Sequence, residues 1–90
     1  MAKYSATQQW TKPTEHTAGG WTMEAGAVIY RTCTSLRELA QEIEKVQAMK
    51  ACRQYAFDPL ITVCVGVRDP RELGDYELRD GRLRKVPAYV

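Results

Sequence analysis

The sequence predicts an α+β fold. One long helix packs on one face of a three- or four-stranded mixed or antiparallel sheet, as a β-α-β-β core with an N-terminal strand or tail. Three observations predict it. Leu36, Leu39, Ala40, Ile43 and Val46 fall within an arc of about 120° at helical spacing. Two runs rich in β-branched and aromatic residues, 27–33 and 60–67, flank that stripe. Asp80-Gly81 lies between Tyr76, Leu78 and Leu83, and an Asp-Gly pair suits the two positive-φ positions of a type I′ hairpin.

At 90 residues the chain makes one small domain with a thin core. Residues 1–20 are polar and threonine-rich, with Pro13 and Gly19-Gly20 as breaks. They read as a strand or a flexible arm, because Tyr4, Ala6, Gln8 and Trp10 alternate only weakly. Residues 21–90 read as a single α+β domain.

Within that domain the first strand centres on 27–33 and can extend back to Trp21. Gly26 marks a bulge or bend before it. Ser35 and Glu38 have capping-box spacing and start the helix. The apolar stripe drifts after Val46, so the helix ends near residue 50 or turns a second face inward. Pro59 bars any continuation past Phe57. Along 60–67, Ile61, Val63, Val65 and Val67 point one way, and Thr62, Cys64, Gly66 and Arg68 the other. RDPRELGD, residues 68–75, reads as a loop or a single helical turn. The helix between two strands predicts a right-handed β-α-β crossover.

The closing hairpin sets the functional expectation. With Asp80-Gly81 as its loop, Arg79 faces Arg82, Leu78 faces Leu83, Glu77 faces Arg84 and Tyr76 faces Lys85. A one-residue slip would set Glu77 against Leu83. The charges are therefore the outer side of a well-formed hairpin. Carried across the sheet, the same parity predicts an open face bearing Arg31, Arg68, Arg79, Arg82 and Arg84, relieved by Glu77, Cys33, Thr62 and Cys64. Ile29 falls on that side too and interrupts it. Such a platform leaves apolar surface bare, which a homodimer or the folded-over N-terminal segment would cover.

Thirteen basic and eleven acidic residues give a net charge of +2, too balanced to imply nucleic acid by itself. Three cysteines without regular spacing argue against a disulfide framework. The N-terminus shows no signal-peptide pattern, and LITVCVGV, at eight residues, is too short to span a bilayer. A cytoplasmic setting with no membrane contact follows as the expectation.

Catalytic patterns are sparse. Cys33 precedes a helix start, where thiolates are favoured, yet Leu39 stands where the phosphatase loop needs arginine. His16 is the only histidine, in a polar stretch. No metal, nucleotide or cofactor motif occurs, so none of these ligands is expected. Trp10, Trp21 and Tyr89 are candidate interface aromatics, because Trp and Tyr are enriched at binding hot spots.

In size and basic C-terminal hairpin the chain resembles ribosome-dependent RNase toxins. It lacks the helical pair that precedes their sheet, and no family is assigned. The expected function is a small non-enzymatic interaction module or inhibitor that binds a macromolecular partner, preferably protein, through the arginine-lined face or an exposed edge. Single-stranded RNA or DNA binding is the alternative, and a cysteine-dependent enzyme ranks third.

Overall fold

The computed structural model describes residues 3–15 and 21–87. It contains strands β1 (Tyr4–Glu15) and β2 (Trp21–Ile29), helix α1 (Leu36–Gln47), a short 3-10 turn (Lys50–Cys52), and strands β3 (Ala56–Val65), β4 (Arg71–Arg79) and β5 (Arg82–Lys85). The five strands form one sheet in the order β2-β1-β3-β4-β5, and every neighbouring pair is antiparallel. The fold is α+β, with five strands rather than three or four.

The largest departure from the predicted topology is the N-terminal segment. β1 lies inside the sheet, paired with β2 on one side and β3 on the other. Because β2 and β3 both run antiparallel to β1, they are parallel to each other, with β1 inserted between them. The expected β-α-β unit is therefore split, and α1 bridges strands that do not touch. β1 reads weakly in sequence because its inward side chains include Ala6 and the polar Gln8, both buried. Tertiary pairing, rather than a strong apolar pattern, makes this segment a strand.

α1 begins where the capping residues place it. Ser35 is the N-cap, and its Oγ accepts from the Glu38 backbone N–H at 3.1 Å. The return arm of the box lands one residue early: Glu38 Oε2 accepts from the Thr34 hydroxyl at 2.8 Å and the Thr34 N–H at 3.4 Å. These bonds hold the Glu38 carboxyl below its ordinary pKa. Leu39, Ala40 and Ile43 are fully buried, with Leu36 and Val46 flanking them. They pack on Ala6, Tyr30, Cys33, Ile61, Val63 and Tyr76. Truncating a residue such as Leu39 or Ile43 to alanine would cost about 2–5 kcal/mol.

Three bulges interrupt the ladders, and the two that insert a single residue overturn a simple parity. Just after β2 the pairing moves from Thr7↔Ile29 to the bridge Tyr4↔Cys33, so one extra residue lies between. Cys33 consequently turns into the core instead of the open face. On β3, Gln8↔Ile61 and Trp10↔Phe57 leave Asp58, Pro59 and Leu60 opposite Gln9. Pro59 is tolerated there because a bulge does not need its missing N–H. β3 thus starts at Ala56, four residues before the expected Leu60, and ends at Val65. On β4 the register shifts at Leu73, and Gly74 adopts φ 116° beside the shift. Leu73 packs against the core, and Arg71 to Asp75, read as loop from sequence, belong to a strand.

The terminal hairpin has the predicted register: Tyr76↔Lys85, Glu77↔Arg84, Leu78↔Leu83 and Arg79↔Arg82. Asp80 (φ 50°) and Gly81 (φ 76°) supply the two left-handed positions of the turn. Leu78 and Leu83 pack against the core.

A buried amide network ties the layers together. Gln8 Nε2 donates to the Asp58 carbonyl at 2.6 Å. Gln8 Oε1 accepts from the Tyr30 hydroxyl at 2.6 Å and from Gln47 Nε2 at 2.8 Å. Burial raises the Tyr30 phenol above its ordinary pKa, so it stays a donor at neutral pH. Among the described residues no helix is long and apolar enough to cross a membrane.

Candidate interaction face

α1 covers one side of the sheet only. Strand alternation places Thr7 and Gln9 of β1, Met23, Ala25, Ala27 and Ile29 of β2, and Leu60, Thr62 and Cys64 of β3 on the other side. Ile29 is 77% exposed, Met23 63% and Leu60 41%. At the β3 bulge the surface dips into a depression of about 680 Å³ lined by residues of both parities, among them Gln9, Thr11, Ala25 and Ala27 with Trp10 and Phe57. β4 and β5 carry Glu72, Asp75, Glu77, Arg79, Arg82 and Arg84 on the same side. Asp75 Oδ1 accepts from the Thr62 hydroxyl at 3.2 Å.

The five arginines expected on one face are not together. Arg31 lies beside α1, with its guanidinium 3.5 Å from Glu42 and 4.0 Å from Glu38. The extra residue in the segment after β2 puts it there. Arg68 sits in the turn between β3 and β4, exposed and off the sheet. Arg79, Arg82 and Arg84 do share the outer side of the hairpin, and Arg79 Nε lies 3.2 Å from Glu77 Oε1. Three carboxylates accompany the three arginines on β4 and β5, so this region is mixed in charge rather than basic. Two of those carboxylates, Glu72 and Asp75, were missed because their segment reads as a loop. The alternation Asp75-Tyr76-Glu77-Leu78 carried the signal, extending the hairpin strand backwards.

Among the aromatics, Trp10 turns to the other side of the sheet. Its ring stacks on Tyr55 with centroids 4.4 Å apart and planes 7° apart, and Phe57 meets Tyr55 edge-on at 6.0 Å. Lys12 Nζ lies 5.4 Å from the Tyr55 centroid and 3.4 Å from Glu24. Trp10 is half-buried within its own chain, which leaves less of it for a partner. The Trp21 side chain, Tyr89 and His16 lie outside the described residues.

Cys33 is 2% exposed and donates to the Arg31 carbonyl at 3.3 Å. Burial, with Glu38 adding to it, pushes the thiol above its ordinary pKa, opposite to what nucleophilic use needs. Among the described residues no three His, Cys, Asp or Glu side chains converge. The face offers its surroundings apolar area, hydroxyl and amide groups, and a fringe of both charge signs. No protein family, curated protein or solved structure matches the chain.

Proposed function

We propose that the protein is a small non-enzymatic interaction module or inhibitor that docks a protein partner on the sheet face away from α1. One observation carries this reading: none of the described elements covers that face, and it sets exposed Leu60 of β3 next to the charged strands β4 and β5, with exposed Ile29 at the opposite, β2 edge. Exposed apolar side chains bordered by polar and charged groups suit a protein interface. Arg82 and Arg84 act as rim residues that orient the partner, with Glu72 and Asp75 selecting against a purely acidic one. The charge balance also weighs against a phosphate backbone.

The test is capture of partners from the native host by the tagged full chain, with and without nuclease. The wild type should hold a protein partner that survives nuclease. Leu60→Asp and the pair Arg82→Glu/Arg84→Glu should each lose it while their thermal melts stay close to wild type. Retention by both variants would remove the face from consideration. Loss of all capture on nuclease treatment would replace this reading with nucleic-acid binding.

A further inference from the structure

The two edges of the sheet are built differently. β5 is four residues long, and Arg82, Arg84 and Lys85 supply three of them. Short, charged edges resist pairing with other strands. β2, WTMEAGAVI, is nine residues long with Glu24 as its single charge and no proline. Nothing in its composition protects it. The Tyr30 N–H donates to the Ala6 carbonyl at 2.9 Å, and this sets the alternation along β2. Val28, Gly26 and Glu24 follow Tyr30 and aim their backbone groups at β1. Met23, Ala25, Ala27 and Ile29 therefore aim theirs outward, away from every other described strand.

We infer that β2 pairs antiparallel with β2 of a second copy of this chain, about a two-fold axis at Gly26. The assembly is one continuous sheet with five strands from each copy. The segment Met23-Glu24-Ala25-Gly26-Ala27-Val28-Ile29 has nearly the same size profile read in either direction. With the axis at Gly26, Met23 meets Ile29 of the second copy and Ala25 meets its Ala27. The two most exposed apolar side chains of the edge thus cover each other, twice. An axis at Glu24 would instead set two like charges in direct opposition, which is destabilising. An axis at Ala25 would leave Met23 against alanine. At Gly26 each Glu24 faces Val28 and keeps its own Lys12, 3.4 Å away.

The same edge chemistry explains why assembly would stop at two. Pairing through β2 leaves only β5 at both outer margins, where Arg82, Arg84 and Lys85 repel a further strand. An isologous contact of this kind closes on itself. Two paired seven-residue segments bury less than the roughly 1,200 Å² of a standard interface, so the dimer is reversible and depends on concentration. This inference goes beyond docking on the open face and does not depend on it.

The test follows the full chain by sedimentation velocity from micromolar to millimolar concentration. A reversible monomer–dimer equilibrium is expected. As the dimer forms, the amides of Met23, Ala25, Ala27 and Ile29 should gain protection from hydrogen exchange. In a mixture of labelled and unlabelled chains, the Met23 methyl should show a nuclear Overhauser contact with Ile29 methyls. Within one chain those residues are separated by about 20 Å of strand, so the contact reports the second copy. Ala25→Pro removes an outward N–H and leaves the β1 ladder intact, and it should abolish the dimer. Ala27→Lys tests the same edge without proline, should that variant fold poorly. A chain monomeric throughout overturns the inference, as does a dimer indifferent to both substitutions. A dimer lacking the Met23–Ile29 contact overturns the axis at Gly26. Partner capture by Leu60 and Arg84 is read separately, so failure of one proposal leaves the other standing.

Discussion

Gly26 and Trp10 lie opposite each other on β2 and β1, and the indole occupies the space where a side chain at 26 would stand. A Cβ at Gly26 would come within 2.5 Å of Trp10 Cζ2 and 2.9 Å of Cε2. Both are ring atoms of a group already stacked on Tyr55, so the ring must move as a body. Gly26→Ala therefore forces an overpacked contact, which costs about 1–3 kcal/mol. Against this, alanine lowers the entropy of the unfolded chain, a gain of about 0.4–1 kcal/mol. The net expectation is a loss of about 1–2 kcal/mol, or a fall in Tm of roughly 4–16 °C for a domain of this size. Urea unfolding at one fixed protein concentration, followed by circular dichroism and tryptophan emission, reads both the loss and the displaced indole. Trp10→Leu supplies the control. It is destabilising by itself, because the Tyr55 stack is lost, but in that background Gly26→Ala should be neutral or stabilising. Equal losses from Gly26→Ala with and without the indole would refute the steric reasoning.

Three further outcomes follow from the core and the helix start. Tyr30→Phe removes one donor from Gln8 Oε1 while Gln47 still serves it, so a loss of about 0.5–1.5 kcal/mol is expected. Gln8→Met orphans the Tyr30 hydroxyl, the Gln47 amide and the Asp58 carbonyl, and should cost about 2–4 kcal/mol. Denaturant titrations that reverse this order would contradict the network as described. Ser35→Ala, which deletes the N-cap acceptor, should lower stability by about 0.5–2 kcal/mol, read by thermal melting. Glu38 has a folded-state pKa below its unfolded value of 4.5, so its stabilisation is present above that value. It is lost as pH falls through the folded pKa. The Tm gap between wild type and Glu38→Gln should accordingly shrink with acidification below about pH 4.5, and a gap constant down to the lowest measurable pH would exclude this linkage.

Sequence alone determined the parts whose physics is local. The helix start follows from Ser35 and a hydrogen bond three residues long. The buried stripe of α1 follows from a period of 3.6. The hairpin register follows from Asp80-Gly81, because the turn supplies positive φ at both positions and one slip would bury a carboxylate. The tertiary structure decided what depends on non-local pairing. It drew the polar segment of β1 between β2 and β3, a placement no pattern within residues 4–15 demands. It also set three bulges, of which the one after β2 moves Arg31 and Cys33, and the one on β4 moves Glu72, to sides that alternation does not predict. That is why Arg31 left the predicted five-arginine platform while its three hairpin arginines stayed together: parity survives within a continuous ladder and is lost across a one-residue bulge, and Arg68 left because β3 ends at Val65. The bare edge of β2 belongs to the same class, because a strand's composition is visible in sequence but its place at the margin of a sheet is not.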